Sequence, residues 1–433
     1  MKLLFLNIFL ALAIISQAQV HTIGLEESKD SALNYSYAIK NSLLSIQSAE
    51  AGKKGAEASQ LPSLSGNVLG MYGFKKFVDP IPLFLEKGIN NFYYAGATAI
   101  EPVFVGGKIR TGIALSNLQI EVEKTKSKLS KDSVALITEQ KYWQIVTLQE
   151  QQKTLKANEL LLDAVLKQQK DLLASGLIAR NDLLKVKVKK SQLILDQSKL
   201  SNGHKLALFD FSLYLGIDFD SLLIAKDTFG VVNRPESEFI NPENALMQNN
   251  NYDLLKKSMD AQQLQTKYTK ADYLPSVAVG VSAGQFGVIG NGQISKFVPV
   301  GIGSVSIPIS ALLWGNGKQK MIQQHIQENI VKNNFEDGIR QIKTGILKSW
   351  YDVQDAYEQI NLANESYTSA LENMKVNQDN YASGLAGITE VLDAQAAFQQ
   401  SSSDRVSAFA NYREKLAEYK YMVGMISKSQ NAN

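Results

Sequence analysis

The sequence contains no cysteine among its 433 residues. That excludes disulfides, thiolate metal sites, a catalytic thiol and lipid attachment through an N-terminal cysteine, so any anchoring must come from the fold itself. Long hydrophobic runs are lacking too. Beyond the first residues no stretch approaches the ~18 consecutive apolar residues of a transmembrane helix, so if the chain spans a membrane it does so as strands. Neither sign of charge predominates: the formal net charge is +3, no lysine or arginine cluster dominates locally, and nucleic acid is excluded as a partner. Histidine is scarce, and His21, His204 and His325 lie far apart. None stands in an H-E-x-x-H pattern, and no G-x-S-x-G joins a strand to a helix. Gly317 and Lys318 are followed by Gln319 and lack the upstream glycine of a phosphate loop. The glycines from Gly287 to Gly292 have the wrong order for a dinucleotide loop and read as turns. No enzymatic centre, metal site or cofactor is expected.

What is present begins with Lys2, an apolar run from Leu3 to Ile15, then Ser16, Gln17 and Ala18. This is the charged, apolar and small-residue order of a secretory signal, and the run is too short for a retained anchor. Residues 1–18 are expected to be removed, leaving Gln19 first.

The remainder is duplicated. Leu61-Pro62-Ser63 recurs as Leu274-Pro275-Ser276, and Ala174-Ser175-Gly176-Leu177 recurs as Ala382-Ser383-Gly384-Leu385. Pro102 with Gly106, Gly107 and Lys108 corresponds to Pro308 with Gly315, Gly317 and Lys318. A spacing of about 210 residues is far beyond solenoid repeats and indicates duplication of one large unit. The expected divisions are a first repeat at 19–219, a linker at 220–242, a second repeat at 243–426 and a tail at 427–433.

Each repeat opens with a helical pattern, about Ser28 to Ser59 and about Asn244 to Lys270, closed by Pro62 and Pro275. Alternation follows. Val277, Val279 and Val281 take one face of a strand while Ala278, Gly280, Ser282 and Gly284 take the other. A second strand-like run spans Phe92 to Val103 in the first repeat and Phe297 to Ile309 in the second, which predicts hairpins over 61–103 and 274–309. The strands approach the roughly 9 to 11 residues needed to cross a bilayer at a tilt.

From Gly106 to Ser175 and from Gly317 to Ser383 there is no proline. About 70 residues at ~1.5 Å each make helices on the order of 100 Å long, and such helices need a partner along their length. Gly176 and Gly384 suit left-handed helix ends, and Asn181 and Thr389 suit the N-caps of returning helices, giving helical hairpins over 106–217 and 316–425. Leu148, Leu155 and Leu162 recur every seventh residue, with Val165 and Leu172 beside them, as in a coiled-coil seam.

Two hairpins give four strands, which cannot close a barrel alone. An open sheet in lipid would leave edge N–H and C=O groups unsatisfied at several kcal/mol each. Association of two copies would give eight strands and of three twelve, and the pattern does not choose between them.

Signal, helix, L-P-S hairpin, long helix, Gly-Leu turn and returning helix, all duplicated, resemble the TolC family of outer-membrane efflux proteins, the outer membrane factors. The sharpest match is Tyr381-Ala382-Ser383-Gly384-Leu385 followed by Thr389-Glu390-Val391-Leu392-Asp393-Ala394-Gln395. Ser175, Gly176, Leu177, Asn181, Asp182, Leu183 and Leu184 hold the equivalent places in the first repeat.

The resemblance implies a mainly α chain with a transmembrane β part: a homotrimer whose twelve-stranded β-barrel in outer-membrane lipid continues into a twelve-helix periplasmic barrel. It implies a passive exit duct for efflux or type I secretion, opened by docking with a periplasmic adaptor (membrane fusion) protein and an inner-membrane transporter. It also implies a periplasmic gate at Tyr381, Glu390, Asp393 and Asp182, whose repeated carboxylates would make closed-state permeability depend on cations and pH. Asp182 and Glu390 equally suit the first turn of a helix through its dipole. Gly176, Leu177, Gly384 and Leu385 match the tips that meet the adaptor, although glycine there also serves a positive φ. Where the family has a basic residue two positions after the second-turn glycine, this chain has Ala386. Tyr72, Phe74, Phe92, Tyr93, Tyr94, Phe286 and Phe297 would form an aromatic girdle at the strand ends. The competing reading is a periplasmic coiled-coil scaffold or adaptor without a membrane barrel.

Overall fold

The computed structural model describes residues 21–80, 88–288 and 295–427. The expected signal at 1–18, nearly all of the tail and the segments 81–87 and 289–294 lie outside the described residues. In chain order the elements are β1 (Thr22–Ile23), α1 (Leu25–Tyr35), α2 (Tyr37–Ala58), β2 (Ser63–Tyr72), β3 (Asn91–Val105), α3 (Lys108–Ala174) and α4 (Arg180–Leu215). There follow β4 (Ile224–Ala225), a 3-10 turn (Pro235–Glu238), α5 (Pro242–Leu246), α6 (Asn250–Ala271), β5 (Ser276–Gly287), β6 (Ser295–Ser306), α7 (Ile309–Leu313), α8 (Asn316–Ala382) and α9 (Ile388–Met422).

The chain forms two compact units, each drawing on both repeats. One comprises Ser42–Lys126 and Asp253–Ile339. It holds an antiparallel four-stranded sheet in the order β2-β3-β5-β6, so the two hairpins join through β3 and β5. Directly paired residues share a face. On one face lie Leu64, Val68, Ala95, Ala97, Ala99, Val277, Val279, Val281 and Val305, interrupted by Gln285 and Glu101. On the other, the Ser282 hydroxyl meets Thr98 Oγ1 at 3.0 Å and Tyr94 Oη at 3.3 Å, with Asn67 and Ser65 beyond. Strand β6 departs from this division, because Val298, Val300 and Ile302 fall on the hydroxyl face. The sheet is open: β2 and β6 each pair on one side only among the described residues, and all of β2 is exposed. β6 stops at Ser306, short of the expected Ile309, because Pro308 has no N–H and Ile309 already begins α7.

The other unit comprises the chain up to Asn41, Ser127–Tyr252 and the chain from Arg340. One core joins Ala32, Val134, Tyr142, Trp143, Ile145, Val146, Leu208, Phe211 and Leu215, and a second joins Ile346, Trp350, Val353, Phe409, Tyr412 and Tyr419. The expected linker is a packed strap. Ile224 and Ala225 pair in parallel with Thr22 and Ile23, and Leu223 is buried. The ring of Phe229 stacks between Trp143 and Phe409, with centroids 5.8 and 5.7 Å away. Tyr142 Oη donates to Asp227 Oδ2, and burial, with that carboxylate beside it, pushes the phenol well above its usual range. The Tyr419 hydroxyl accepts the Ile240 N–H at 2.8 Å.

Each expected leading helix is broken in two. Ser36 leaves helical geometry, and its carbonyl accepts the Lys40 N–H to start α2. Asn249 is buried, its Oδ1 capping the N–H groups of Asn251 and Tyr252 while its Nδ2 donates to Met422 O at 2.8 Å. The two long helices, α3 and α8, are continuous and of equal length, 67 residues each. Among the described residues no helix is long and apolar enough to cross a membrane.

Candidate functional site

The tips of the two helical hairpins carry the residues singled out in the sequence. α3 ends on Gly176 at φ +73°, and α8 on Gly384 at φ +73°. Each is the left-handed residue of a Schellman turn. Leu177 N–H bonds to Leu172 O at 2.9 Å and Gly176 N–H to Leu173 O at 3.0 Å; Leu385 N–H bonds to Asn380 O at 2.8 Å and Gly384 N–H to Tyr381 O at 3.0 Å. These bonds satisfy the last carbonyls of each helix and turn Leu177 and Leu385 outward, 71% and 80% exposed.

The returning helices begin earlier than their capping chemistry suggested. The N-caps are Ala179 and Gly387, neither with a side-chain cap, so Asn181 and Thr389 lie inside the first turns. The Glu390 carboxylate lies close to the helix start, where a Cβ added at Gly387 would sit 2.8 Å from its Oε2. This suits the positive end of the helix dipole. Asp182, equally in a first turn, pairs with Lys185 at 3.4 Å.

The two tips are packed together. Leu155 and Leu162 of α3, on the expected seam, join Val186 and Leu193 of α4 and Ile388, Val391 and Leu392 of α9 in one core, with Val165 and Tyr381 against it. Polar contacts also cross between repeats. Gln169 Nε2 donates to Tyr381 Oη at 2.6 Å, and Lys185 Nζ donates to Thr389 Oγ1 at 3.0 Å. Asp182 and Tyr381 are thus each held in a polar contact, whereas Glu390 and Asp393 are exposed and, among the described residues, form no hydrogen bond or ion pair with either.

Gln169 and Lys185 were not anticipated. Both left a signal: Gln169 is a fully buried polar residue in line with Leu162 and Val165, and Lys185 lies three residues after Asp182 on the same helix. Lys185 places a cation at these tips where Ala386 offers none. Asn158, also buried in the seam, has no partner for either amide atom among the described residues, while its carbonyl accepts from Gln395 Nε2 at 3.5 Å.

Residues 242–424 match the family described as outer membrane efflux protein. The second repeat is similar to that family, over less than half of the chain. The match covers the second repeat, and the likeness of fold covers nearly everything. An outer membrane protein from Vibrio cholerae, VceC, is 13% identical, with 92% of this chain and 96% of that chain covered at a TM-score of 0.75. The Campylobacter jejuni outer membrane channel CmeC is 15% identical, covering 93% and 85% at 0.76. The open state of the Neisseria gonorrhoeae outer membrane channel MtrE is 16% identical, covering 93% and 89% at 0.68. No curated protein matches the sequence. CmeC and MtrE are outer membrane channels.

Proposed function

We propose that three copies of this chain close into a twelve-stranded barrel in the outer membrane and a twelve-helix tube in the periplasm, forming a passive exit duct with no catalytic step. The observation that carries the proposal is the open sheet. Its outer strands, β2 and β6, leave one edge each unpaired among the described residues, and its apolar face is exposed. In lipid such edges require closure, and pairing β6 of one copy with β2 of the next around a threefold axis provides it. The long helices leave the same sheet by short connections, so closing the strands gathers the helices.

On this reading a periplasmic adaptor meets Gly176, Leu177, Gly384 and Leu385, and an inner-membrane transporter supplies cargo and direction. Asp182, Tyr381, Glu390 and Asp393 form the gate. On this reading the contacts Gln169 to Tyr381 and Lys185 to Thr389 hold it shut within one chain, and threefold repetition of the exposed Glu390 and Asp393 would concentrate cations.

The test is conductance of the purified protein in a planar bilayer, with cross-linking to count subunits. Small cation-selective steps from a trimer are expected. Glu390→Ala with Asp393→Ala is expected to lower cation selectivity and enlarge the steps by about two-fold. Channels unaltered by these substitutions would reject the gate assignment and keep the fold. A protein that needs no detergent and conducts nothing would favour a periplasmic scaffold.

A further inference from the structure

Where the strap's aromatic core gives way to the polar seam leading to the tips, α3, α8, α9 and the strap enclose a cleft of about 190 Å³ within one compact unit. Two pairs of rings form its apolar walls. Phe229 of the strap stacks on Phe409 of α9 with centroids 5.7 Å and planes 17° apart, and Tyr367 of α8 meets Phe398 of α9 at 5.4 Å and 43°. Phe398, Ser402, Arg405 and Phe409 recur at helical spacing on one side of α9, so the rings bracket the guanidinium along that helix.

Two charged side chains line the cleft, Glu150 and Arg405, and they differ in how they are spent. The Glu150 carboxylate is paired with Lys153, whose Nζ lies 2.7 Å from Oε1. Arg405 forms no ion pair among the described residues. Its Nε donates to Asn364 Oδ1 at 2.7 Å, and its guanidinium lies 4.8 Å from the Tyr367 ring centre and 5.7 Å from that of Phe409. These contacts hold the group in one orientation and leave both Nη atoms without a hydrogen bond among the described residues. The hydroxyls of Thr154 and Ser402, also in the lining, are spent on the carbonyls of Glu150 and Phe398 in their own helices, at 3.1 and 2.7 Å.

We propose that this cleft is a binding site for a small aromatic carboxylate, whose ring lies among the four aromatic side chains and whose carboxylate accepts from the Arg405 Nη groups. The size agrees. An apolar cavity of ~150 Å³ accepts one benzene ring, so this cleft has room for a ring and its carboxylate. The chemistry agrees as well. A guanidinium held flat presents a fork that matches a carboxylate, and a charge-assisted bond is about twice as strong as a neutral one. A cationic ring would leave Arg405 unpaired beside a second positive charge, and a neutral ring would forgo the ionic bond. The site lies within one unit and does not depend on the channel reading.

Saturation-transfer NMR of the full chain in detergent, titrated with sodium benzoate and corrected for detergent alone, tests the site. Saturable binding with a Kd on the order of 0.1 to 1 mM is expected. Benzamide, which has nearly the same shape and no charge, is expected to bind about ten-fold more weakly. Arg405→Gln should weaken benzoate by about ten-fold and bring the two probes to similar affinity, a change that lost packing alone would not produce. Arg405→Lys keeps the charge without the fork and should fall between wild type and Arg405→Gln. Phe398→Leu should weaken benzoate and benzamide alike, by about three-fold. Equal affinity of the wild type for benzoate and benzamide overturns the anion assignment. Folded wild type that shows no saturable signal up to about 10 mM benzoate, ten-fold above the weakest expected Kd, overturns the site. Benzoate binding that persists unchanged in both Arg405 variants places the ligand elsewhere and overturns it equally.

Discussion

Replacing Leu177 and Leu385 together by aspartate is expected to abolish export in cells while leaving the conductance of the purified channel unchanged. The two side chains are the most outward apolar groups of their turns, and each turn is fixed by backbone bonds that the substitutions do not touch. The fold therefore has little reason to respond. An adaptor tip docking there would have to desolvate two carboxylates per chain in place of two leucines, at about 2 kcal/mol or more each, enough to lower affinity by more than about a hundred-fold. The measurement compares resistance to an exported compound in cells carrying wild type or the double variant at equal outer-membrane levels, alongside bilayer conductance. Undiminished export would reject the tips as the docking site, and lost conductance would show that the leucines serve the channel instead.

The largest stability effect from a single added methyl group is expected at Gly216. This residue ends α4 at φ +71°, and a Cβ there would lie 2.0 Å from Cγ of Tyr35, inside the ring. Alanine must both bear the left-handed backbone, at about 1 kcal/mol, and push Tyr35 off its seat at the end of α1, for a total of about 3 kcal/mol. Gly176→Ala provides the comparison. It has the same backbone geometry, φ +73°, with nothing within 4 Å of the added Cβ, so only the first cost of about 1 kcal/mol applies. Denaturant unfolding followed by far-UV circular dichroism in detergent should give a clearly lower midpoint for Gly216→Ala than for Gly176→Ala. Equal shifts would mean that Tyr35 yields freely.

The parts of this fold that were legible in the sequence are those governed by local rules. Gly176 and Gly384 announced helix ends because only glycine takes the left-handed position at little cost, and the proline-free stretches announced α3 and α8 because nothing in them interrupts a helix. Strand ends followed Pro62, Pro275 and Pro308 to within a few residues.

What stayed hidden depends on partners distant in sequence. The strap at 220–242 read as a linker, since nothing near Phe229 reveals that Trp143 and Phe409 will enclose it. Gln169 meets Tyr381 across 212 residues. Asn181 and Thr389 misled for another reason. Their side chains cap well in general, but here the extended backbones of Ala179 and Gly387 start the helices two residues earlier than a cap at either would, and the Glu390 carboxylate lies over Gly387. At the tips, the glycines and leucines could be placed from sequence, whereas the contact of Lys185 with Thr389 could not, because the two lie in different repeats.

The equal lengths of α3 and α8 make the two repeats a matched pair of rulers. Each helix spans the same number of residues, so a residue gained in one leaves the other a residue short. Seven residues inserted into α3 alone would lengthen it by about 10 Å and turn its later side chains by about 20° against their seam. On the proposed tube, a change of length would come as paired changes in the two helices, and a history of such pairs would let related channels differ in reach.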